Sequence, residues 1–345
     1  MAKIKVAING FGRIGRAFFK LAMKRPELDI VAINELGDID NLAYLLKYDS
    51  AYGKSDFHIA VGSDKKKLIV DGKEIAFVSE KDATQLPWGT LEVDIVVEST
   101  GVFASYEKAK VHLTAGAKRV VITAPVKDDP AAAGVSGATV LMGINEDALA
   151  SCQISSNASC TTNAGSPLMQ ILHEEIGVER AMLSTVHGYT ASQRIVDSPN
   201  EKDYREGRAG AANIIPSSTG AAIAVTQAIP DLAGKFDGVS FRVPILTGSI
   251  ADITFVAKRY TSVDEINAIL KKASEDDRWS KIFSVTDEPL VSSDIIGSAY
   301  ASIADLSLTR VVDGTLVKVC AWYDNEMGYA YALVEHIIKS GEYIS

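Results

Sequence analysis

The chain has 345 residues, which is enough for about two domains of ordinary size. Its apolar content of 47% and charged content of 23% are typical of a globular protein. The formal charge of −9 argues against a dedicated nucleic-acid binder and against a basic membrane-surface protein.

The spacing of the cysteines indicates the redox state of the cellular compartment. Cys152, Cys160 and Cys320 have spacings that suit neither a disulfide framework nor a zinc site, so we expect no metal and a reducing environment. The chain runs directly into a strand-like segment at Ile4, and no apolar run approaches membrane-spanning length. We therefore expect a cytoplasmic protein without a leader or a membrane partner.

The first elements of the chain are a strand, a glycine-rich turn and a helix. The strand covers residues 4–8, the turn contains Gly10, Gly12 and Gly15, and residues 17–23 have helical character. Gly10 would make the tight turn, Gly12 would let a pyrophosphate approach the backbone, and Gly15 would let the helix pack closely on the strand.

An acidic residue supports a dinucleotide site at this turn. A second strand, residues 29–34, leads into Glu35, at the distance from the glycines where an acid would hold the ribose hydroxyls. Further strand-like segments lie at 93–98, 119–122 and 139–143, with a helical stretch at 105–114. This alternation predicts a mostly parallel, doubly wound α/β sheet that binds its ligand at the carboxyl ends of the strands.

The second half of the chain has a different pattern. Long strand-like runs lie at 181–186, 239–245, 250–259 and 316–323, and helical patterns lie at 220–228, 263–273 and 328–338. The alternation of apolar and polar residues in the runs predicts antiparallel strands and an α+β substrate domain. The loop 192–213 is too long for a simple connection, so we expect a functional or subunit-interface role.

Two residues in this half are typical of nucleophilic chemistry. Cys160 stands among small polar residues, and Ser159 before it is a candidate N-cap. A helix N-terminus would lower the pKa of the thiol and favour the thiolate. His187 ends an apolar strand, which suits a base paired with the thiol. A buried, unreactive cysteine and a structural histidine are the plainer alternatives.

Arg242 is an arginine in an otherwise apolar strand. Such a residue needs an anionic partner, and either a phosphate or a structural carboxylate would serve. The segment Ser217 to Gly220 offers hydroxyls and backbone amides that could bind a second anion.

Several motifs in order resemble those of the phosphorylating glyceraldehyde-3-phosphate dehydrogenases, and the resemblance covers essentially the whole chain. The matching segments are residues 9–16, 156–163, 214–220 and 322–326. The resemblance implies a Rossmann-type NAD-binding α/β domain (1–159 and 324–345) and an α+β catalytic domain with a mostly antiparallel sheet (160–323). It also implies a homotetramer in which the loop 192–213 reaches an interface.

The resemblance also implies roles for individual residues. Cys160 would be the nucleophile and His187 the residue that activates it. The cofactor residues would be Gly10, Gly12, Arg13, Ile14, Gly15, Glu35, Lys81, Thr123 and Asn325. One phosphate pocket would consist of Ser159, Cys160, Thr161, Thr219 and Gly220, and the other of Thr190 and Arg242. The implied reaction oxidises glyceraldehyde 3-phosphate with NAD and inorganic phosphate to 1,3-bisphosphoglycerate through a cysteine thioester, in glycolysis and gluconeogenesis.

Some positions depart from the family pattern. Glu35 stands where aspartate is usual, which keeps erythrose-4-phosphate dehydrogenase as an alternative. Ala164 replaces a common second cysteine, Met327 a common tryptophan, and Lys81 a usual arginine. Glu35 and Pro199 together predict a preference for NAD over NADP. A cysteine–histidine hydrolase and a non-catalytic nucleotide-binding or RNA-associated protein are the rival classes.

Overall fold

The chain folds into two units, which a computed structural model describes over residues 3–201 and 203–344. Unit 1 comprises Met1–Val140, Asn145–Ala158 and Leu333–Ser345, and unit 2 comprises Leu141–Ile144 and Ser159–Ala332. Met1, Ala2, Ser345 and Lys202, which belongs to the long loop 192–213, lie outside the described residues. Within the described ranges, no helix is long and apolar enough to cross a bilayer.

Unit 1 is built on a sheet whose strands mostly run parallel. Its strands are β1 (Ile4–Asn9), β2 (Leu28–Asn34), β3 (Tyr48–Asp49), β4 (Gly53–Lys54), β5 (Ile59–Val61), β6 (Lys67–Val70), β7 (Lys73–Val78), β8 (Ile95–Glu98), β9 (Arg119–Ile122), β10 (Gly137–Thr139) and β11 (Ile154–Ser156). Its helices are α1 (Arg13–Ala22), α2 (Ile39–Lys47), α3 (Tyr106–Ala109) and α4 (Val111–Thr114). The large sheet has the order β10-β11-β9-β8-β1-β2-β7-β6-β5, and β3 pairs with β4.

The predicted α/β architecture of this unit is confirmed. From β10 to β7 every neighbouring pair is parallel, and β7, β6 and β5 add an antiparallel edge that the pattern did not predict. The predicted strand 139–143 is wrong in its bounds, because the strand ends at Thr139 and the chain turns at Gly143, which has a φ of +75°. The buried apolar side chains after Thr139 reflect packing rather than an extended strand.

Unit 2 contains a mixed, mostly antiparallel sheet. Its strands are β12 (Val178–Gly188), β13 (Ile215–Ser218), β14 (Phe236–Val243), β15 (Ser249–Ala257), β16 (Phe283–Thr286), β17 (Ser302–Asp305), β18 (Arg310–Val312) and β19 (Leu316–Tyr323). Helices α5 (Cys160–Ile176), α6 (Ala221–Ala228) and α7 (Val263–Ser274) follow the same numbering, and the chain ends with α8 (Met327–Gly341). The sheet order is β13-β14-β12-β15-β19-β17-β16, with β18 also paired to β19.

The prediction of antiparallel strands holds for most pairs but not for all. β12 pairs antiparallel with β15, and β15 pairs antiparallel with β19. β12 and β14 are parallel. The connection between them contains α6 and returns the chain to the end of the sheet at which β12 begins. Helix α5 packs on this sheet, and its buried Leu168 and Leu172 join Ile253 and Val319 of the strands in one apolar core.

Candidate active site

One row of paired residues across the unit 2 sheet organises the candidate active site. His187 on β12 pairs with Arg242 on β14 and with Ser249 on β15, and Ser249 pairs with Tyr323 on β19. Residues paired directly across neighbouring strands project to the same face of a sheet. Strand register therefore brings a histidine, an arginine and a tyrosine to one place, although they are far apart in the sequence.

Helix α5 brings the cysteine to this row. Cys160 is the first residue of the helix, and the Oγ of Ser159 accepts a hydrogen bond from the N–H of Thr162 at 3.1 Å, which confirms the predicted N-cap. The Sγ of Cys160 lies 3.3 Å from the Nε2 of His187. The nucleophile and the base predicted from the sequence are thus in direct contact.

The second ring nitrogen of His187 fixes the protonation of the first. Nδ1 lies 2.6 Å from the carbonyl oxygen of Gly188. A carbonyl can only accept, so Nδ1 carries a proton, and in the neutral imidazole Nε2 has the lone pair. His187 is therefore oriented to accept the proton of the Cys160 thiol.

Burial and charge act on this pair in opposite directions. Burial raises the pKa of the Cys160 thiol, whereas the positive charge of Arg242 and the N–H groups of Thr161 and Cys160 favour the thiolate. Burial, with a further contribution from Arg242, lowers the pKa of His187 to about 3. Both shifts favour the neutral thiol and the neutral imidazole, and a proton transfer from Sγ to Nε2 would leave the net charge of the pair unchanged.

Arg242 is the most informative charged group of the row. Its Nε and Nη1 atoms are buried, and neither has a hydrogen-bond partner among the described residues. Buried N–H donors without a partner are costly, whereas a bound anion would satisfy these two donors. This geometry favours the phosphate interpretation of Arg242 over a structural ion pair.

Tyr323 is a site residue that sequence reasoning did not single out. Its Oη lies 2.8 Å from the Oγ1 of Thr161 and 2.7 Å from the Oγ1 of Thr185. Its ring meets that of His187 edge to face, with centroids 6.0 Å apart. Tyr323 therefore ties the first turn of α5 to the strand that carries the base. Only its position in a matching motif could have pointed to it.

The other predicted phosphate residues lie in unit 2 with local hydrogen bonds. The hydroxyl of Thr161 contacts the Oη of Tyr323, and either oxygen can be the donor. Thr190 follows β12, and its N–H donates to the Oε1 of Gln193 at 2.9 Å. Thr219 and Gly220 precede α6, and the Oγ1 of Thr219 accepts from the N–H of Ala221, the first residue of the helix.

The glycine turn of unit 1 has the geometry of an anion cradle. Gly10 has a φ of +96°, and a Cβ on Gly15 would lie 2.2 Å from the carbonyl oxygen of Gly10. A Cβ on Gly12 would meet nothing within 4 Å, so the space above this residue is open. Gly12 is the N-cap of α1 and makes no side-chain hydrogen bond to the helix. The backbone N–H groups of Arg13 and Ile14, the first two helix residues, are therefore donors that an anion could engage. The turn fits a pyrophosphate.

Glu35 closes this turn from the neighbouring strand. Its Oε2 accepts from the N–H of Phe11 at 2.7 Å, and its Oε1 accepts from the N–H of Leu36 at 2.8 Å. A cavity of about 430 Å³ is lined in part by Gly10, Gly12, Glu35 and Lys81. Four predicted cofactor residues therefore share one cavity of unit 1.

Five predicted cofactor residues do not line this cavity: Arg13, Ile14 and Gly15, which belong to the turn and α1, and Thr123 and Asn325. Thr123, in unit 1, follows β9, and its hydroxyl donates to the carbonyl of Glu98 at 3.0 Å. Asn325, in unit 2, has its Oδ1 fixed by the N–H of Gly248 at 3.0 Å and the hydroxyl of Ser249 at 3.1 Å. Because both partners donate to Oδ1, the assignment of the amide oxygen is fixed, and Nδ2 is the hydrogen-bond donor of this side chain.

Comparison with known proteins gives a consistent result. Residues 4–106 match the family model "Glyceraldehyde 3-phosphate dehydrogenase, NAD binding domain", and residues 159–325 match "Glyceraldehyde 3-phosphate dehydrogenase, C-terminal domain". The chain is 46% identical over 334 residues to the glyceraldehyde-3-phosphate dehydrogenase of Geobacillus stearothermophilus, covering 96% of each protein. It is 49% identical over 334 residues to that of Thermotoga maritima, covering 96% of this chain and 97% of the relative. It is 45% identical over 343 residues to glyceraldehyde-3-phosphate dehydrogenase 1 of Bacillus subtilis, covering 98% and 99%.

Proposed function

The chain belongs to the glyceraldehyde-3-phosphate dehydrogenase family, and from this membership we propose that it oxidises glyceraldehyde 3-phosphate with NAD and inorganic phosphate to 1,3-bisphosphoglycerate. It is an NAD-dependent oxidoreductase of glycolysis and gluconeogenesis. The names of the relatives favour the triose phosphate over erythrose 4-phosphate as the substrate.

The first half of the mechanism uses the contact between Cys160 and His187. The Sγ transfers its proton to Nε2 over 3.3 Å and attacks the aldehyde carbon, which gives a hemithioacetal on the cysteine. The protonated His187 gives this proton to the substrate oxygen, which forms the hemithioacetal hydroxyl, and the neutral ring takes it back as the thioester forms. Bound NAD supplies the acceptor for the hydride that leaves this carbon. The N–H of Cys160 and the protonated His187 stabilise negative charge on the substrate oxygen.

The second half of the mechanism releases the product. A phosphate oxygen attacks the thioester carbon, the C–S bond breaks, and an acyl phosphate leaves while the sulfur returns as a thiolate. Arg242, with its unpartnered Nε and Nη1, and Thr190 bind one of the two phosphates. Ser159, Thr161, Thr219 and Gly220 bind the other. A thioester is reactive enough for this step because sulfur is a good leaving group.

The observation that carries this function is the Cys160–His187 contact in the same row as the unpartnered Arg242. The test is mass spectrometry of the protein after reaction with aldehyde and NAD in the absence of phosphate. We expect a 3-phosphoglyceroyl thioester on Cys160 that phosphate discharges. A label on another residue, or a label that phosphate leaves in place, would contradict the mechanism.

The cofactor preference is proposed to follow from Glu35. Its carboxylate is held by backbone N–H groups next to the glycine turn, where it would repel a 2′-phosphate. Pro199 is proposed as a second determinant, and Lys81, Thr123 and Asn325 as cofactor contacts. We expect faster turnover with NAD than with NADP at equal concentration, and the reverse would refute the role of Glu35.

We further propose a homotetramer, a domain division at 1–159 with 324–345 and at 160–323, and a cytoplasmic location. The tetramer is supported by large apolar side chains exposed in the segment 192–214, among them Ile195 at 91% and Tyr204 at 87%. The matched family models, 4–106 and 159–325, support the domain division. The location is supported by the need for a reduced Cys160 thiol. Cell fractionation with an antibody tests it.

A further inference from the structure

A buried polar cluster in unit 1 takes no part in the chemistry described above. Its centre is Glu98, the last residue of β8, which is only 2% exposed. The carboxylate accepts from the Nδ2 of Asn9 at 2.6 Å and from the N–H and Oγ1 of Thr100 at 2.8 and 2.5 Å. The Nε2 of His112 lies 3.0 Å away. A buried carboxylate with this many partners is expensive to assemble unless the arrangement has a use.

The direction of the hydrogen bond from His112 follows from Trp88. The indole Nε1–H can only donate, and it lies 3.2 Å from the Nδ1 of His112, so Nδ1 accepts. In the neutral ring the proton is then on Nε2, which donates to Glu98. Both side chains are completely buried. Every partner of the Glu98 carboxylate is therefore a donor, and both oxygens act only as acceptors.

The cluster supports the backbone around the glycine turn. Asn9 is the residue before Gly10, and its Oδ1 accepts from the Nδ2 of Asn34 at 2.8 Å at the end of β2. The N atom of Thr100 lies 2.7 Å from the position that a Cβ on Gly10 would take. Glu98 thus joins the carboxyl ends of β1 and β8, and through Asn9 that of β2, directly behind the turn that fits the pyrophosphate.

We propose that Glu98 is a positioning residue for the cofactor: its carboxylate holds Asn9 and Thr100 and so presets the glycine turn and the loop after β8 in the shape that binds NAD. The inference rests on the proposed function. Without this support, part of the binding free energy of NAD would be spent on ordering the glycine turn. Because the turn is already ordered in the folded protein, NAD binds more tightly. The effect belongs to binding, and the step at Cys160 is unaffected.

The decisive variant is Glu98→Gln, which keeps the size of the side chain. An amide can accept at only one of its two ends, so its NH₂ faces donors, either those of Thr100 or those of Asn9 and His112. We expect the dissociation constant for NAD, measured by titration calorimetry, to increase about tenfold or more. The alkylation rate of Cys160 by iodoacetamide without NAD should stay within about twofold of the parent, as should kcat at saturating NAD.

Glu107→Gln is the matched control, since Glu107 is an exposed glutamate of the same unit, on α3. If Glu98→Gln does not fold, two variants of Thr100 provide the test instead, because Thr100 is exposed. Thr100→Ser keeps the hydroxyl donor to Glu98 and should bind NAD like the parent, whereas Thr100→Ala should bind it less tightly.

Two results would overturn the inference. One is a Glu98→Gln variant that melts at a lower temperature but binds NAD with the parental dissociation constant, since that would show a purely structural role. The other, if Glu98→Gln does not fold, is equal NAD affinity in Thr100→Ser and Thr100→Ala. A parent that binds NAD but does not oxidise glyceraldehyde 3-phosphate would refute the proposed function instead.

Discussion

His187 shows how neighbouring groups decide the behaviour of a single side chain. The carbonyl of Gly188 holds the proton on Nδ1, and burial lowers the pKa of the ring to about 3, so the imidazole is neutral and its Nε2 faces the thiol of Cys160. A lone histidine in a sequence has none of this information. Its place at the end of an apolar strand predicted a base, but the tautomer depends on a carbonyl that only the folded chain brings into position.

The first prediction tests this base. His187→Gln cannot take the proton of the thiol, so we expect the rate of Cys160 alkylation by iodoacetamide at neutral pH to fall about tenfold or more. The pH profile of alkylation should move to higher pH, because the thiol loses the Nε2 atom that accepts its proton. His58→Gln is the control, since His58 is exposed and lies in unit 1. An unchanged pH profile in His187→Gln would show that the contact does not activate the thiol.

A second buried histidine predicts how stability depends on pH. Burial lowers the pKa of His336 to about 3, well below its ordinary value of 6.5, and its ring nitrogens contact Ser155 and Asn157. The unfolded chain binds a proton below pH 6.5 that the folded chain does not. The contribution of His336 to the free energy of unfolding is therefore complete above about pH 6.5. It is lost as the pH falls towards the pKa of the folded state, at up to about 1.4 kcal/mol per pH unit.

The measurement for this prediction is the free energy of unfolding in denaturant at fixed protein concentration, between about pH 6.5 and pH 4. His336→Gln should reduce the slope of stability against pH, although its absolute stability is lower because the replacement disturbs a packed site. His58→Gln should keep the parental slope. Equal slopes in the parent and in His336→Gln would contradict the assignment.

At the scale of elements, α5 links the sequence pattern to the site. Local signals predicted its N-cap, because Ser159 satisfies a backbone donor within its own turn. The row of His187, Arg242 and Tyr323 depends on strand register, and no local pattern encodes which residues pair across β14, β12, β15 and β19. For the same reason, apolar alternation predicted strands in this half but could not show that β12 and β14 are parallel.

The N-cap gives a prediction with a matched control. Ser159→Ala removes the hydrogen bond to the N–H of Thr162 and should destabilise the fold by about 1 kcal/mol. It should also slow alkylation of Cys160, because the uncapped first turn of α5 positions the sulfur less well. Ser262→Ala removes the equivalent bond to Glu265 on α7 and should cost similar stability without affecting the thiol. Equal alkylation rates in Ser159→Ala and Ser262→Ala would show that the N-cap hydrogen bond of α5 does not affect the reactivity of Cys160.

At the scale of the whole molecule, the sequence predicted more of the first half than of the second. The strand, glycine turn and acid of the dinucleotide pattern are close together in the chain, and the parallel sheet follows from the alternation of strands and helices. The antiparallel edge β5–β7 was missed because two of its strands, β5 and β6, have only three and four residues. The family motifs supplied what local patterns could not, namely the hypothesis that Cys160 and Arg242 serve the same reaction.

The exposed apolar side chains predict assembly. Ile195 and Tyr204 are 91% and 87% exposed in the single chain, and a tetramer would bury such residues. Sedimentation equilibrium should give four times the chain mass of 36.9 kDa. The double variant Ile195→Lys and Tyr204→Lys should dissociate, whereas Tyr260→Lys, at another exposed aromatic residue of unit 2, should not. A parent that sediments as a monomer would refute the tetramer.

The measurement that tests the central claim most directly is the initial rate of NADH formation with glyceraldehyde 3-phosphate, NAD and inorganic phosphate. It is run beside a phosphate-free reaction and beside erythrose 4-phosphate. We predict strong turnover of the triose phosphate that depends on inorganic phosphate, because phosphate must discharge the Cys160 thioester. Turnover that is indifferent to phosphate would contradict the thioester route, and a clear preference for the tetrose would contradict the proposed substrate.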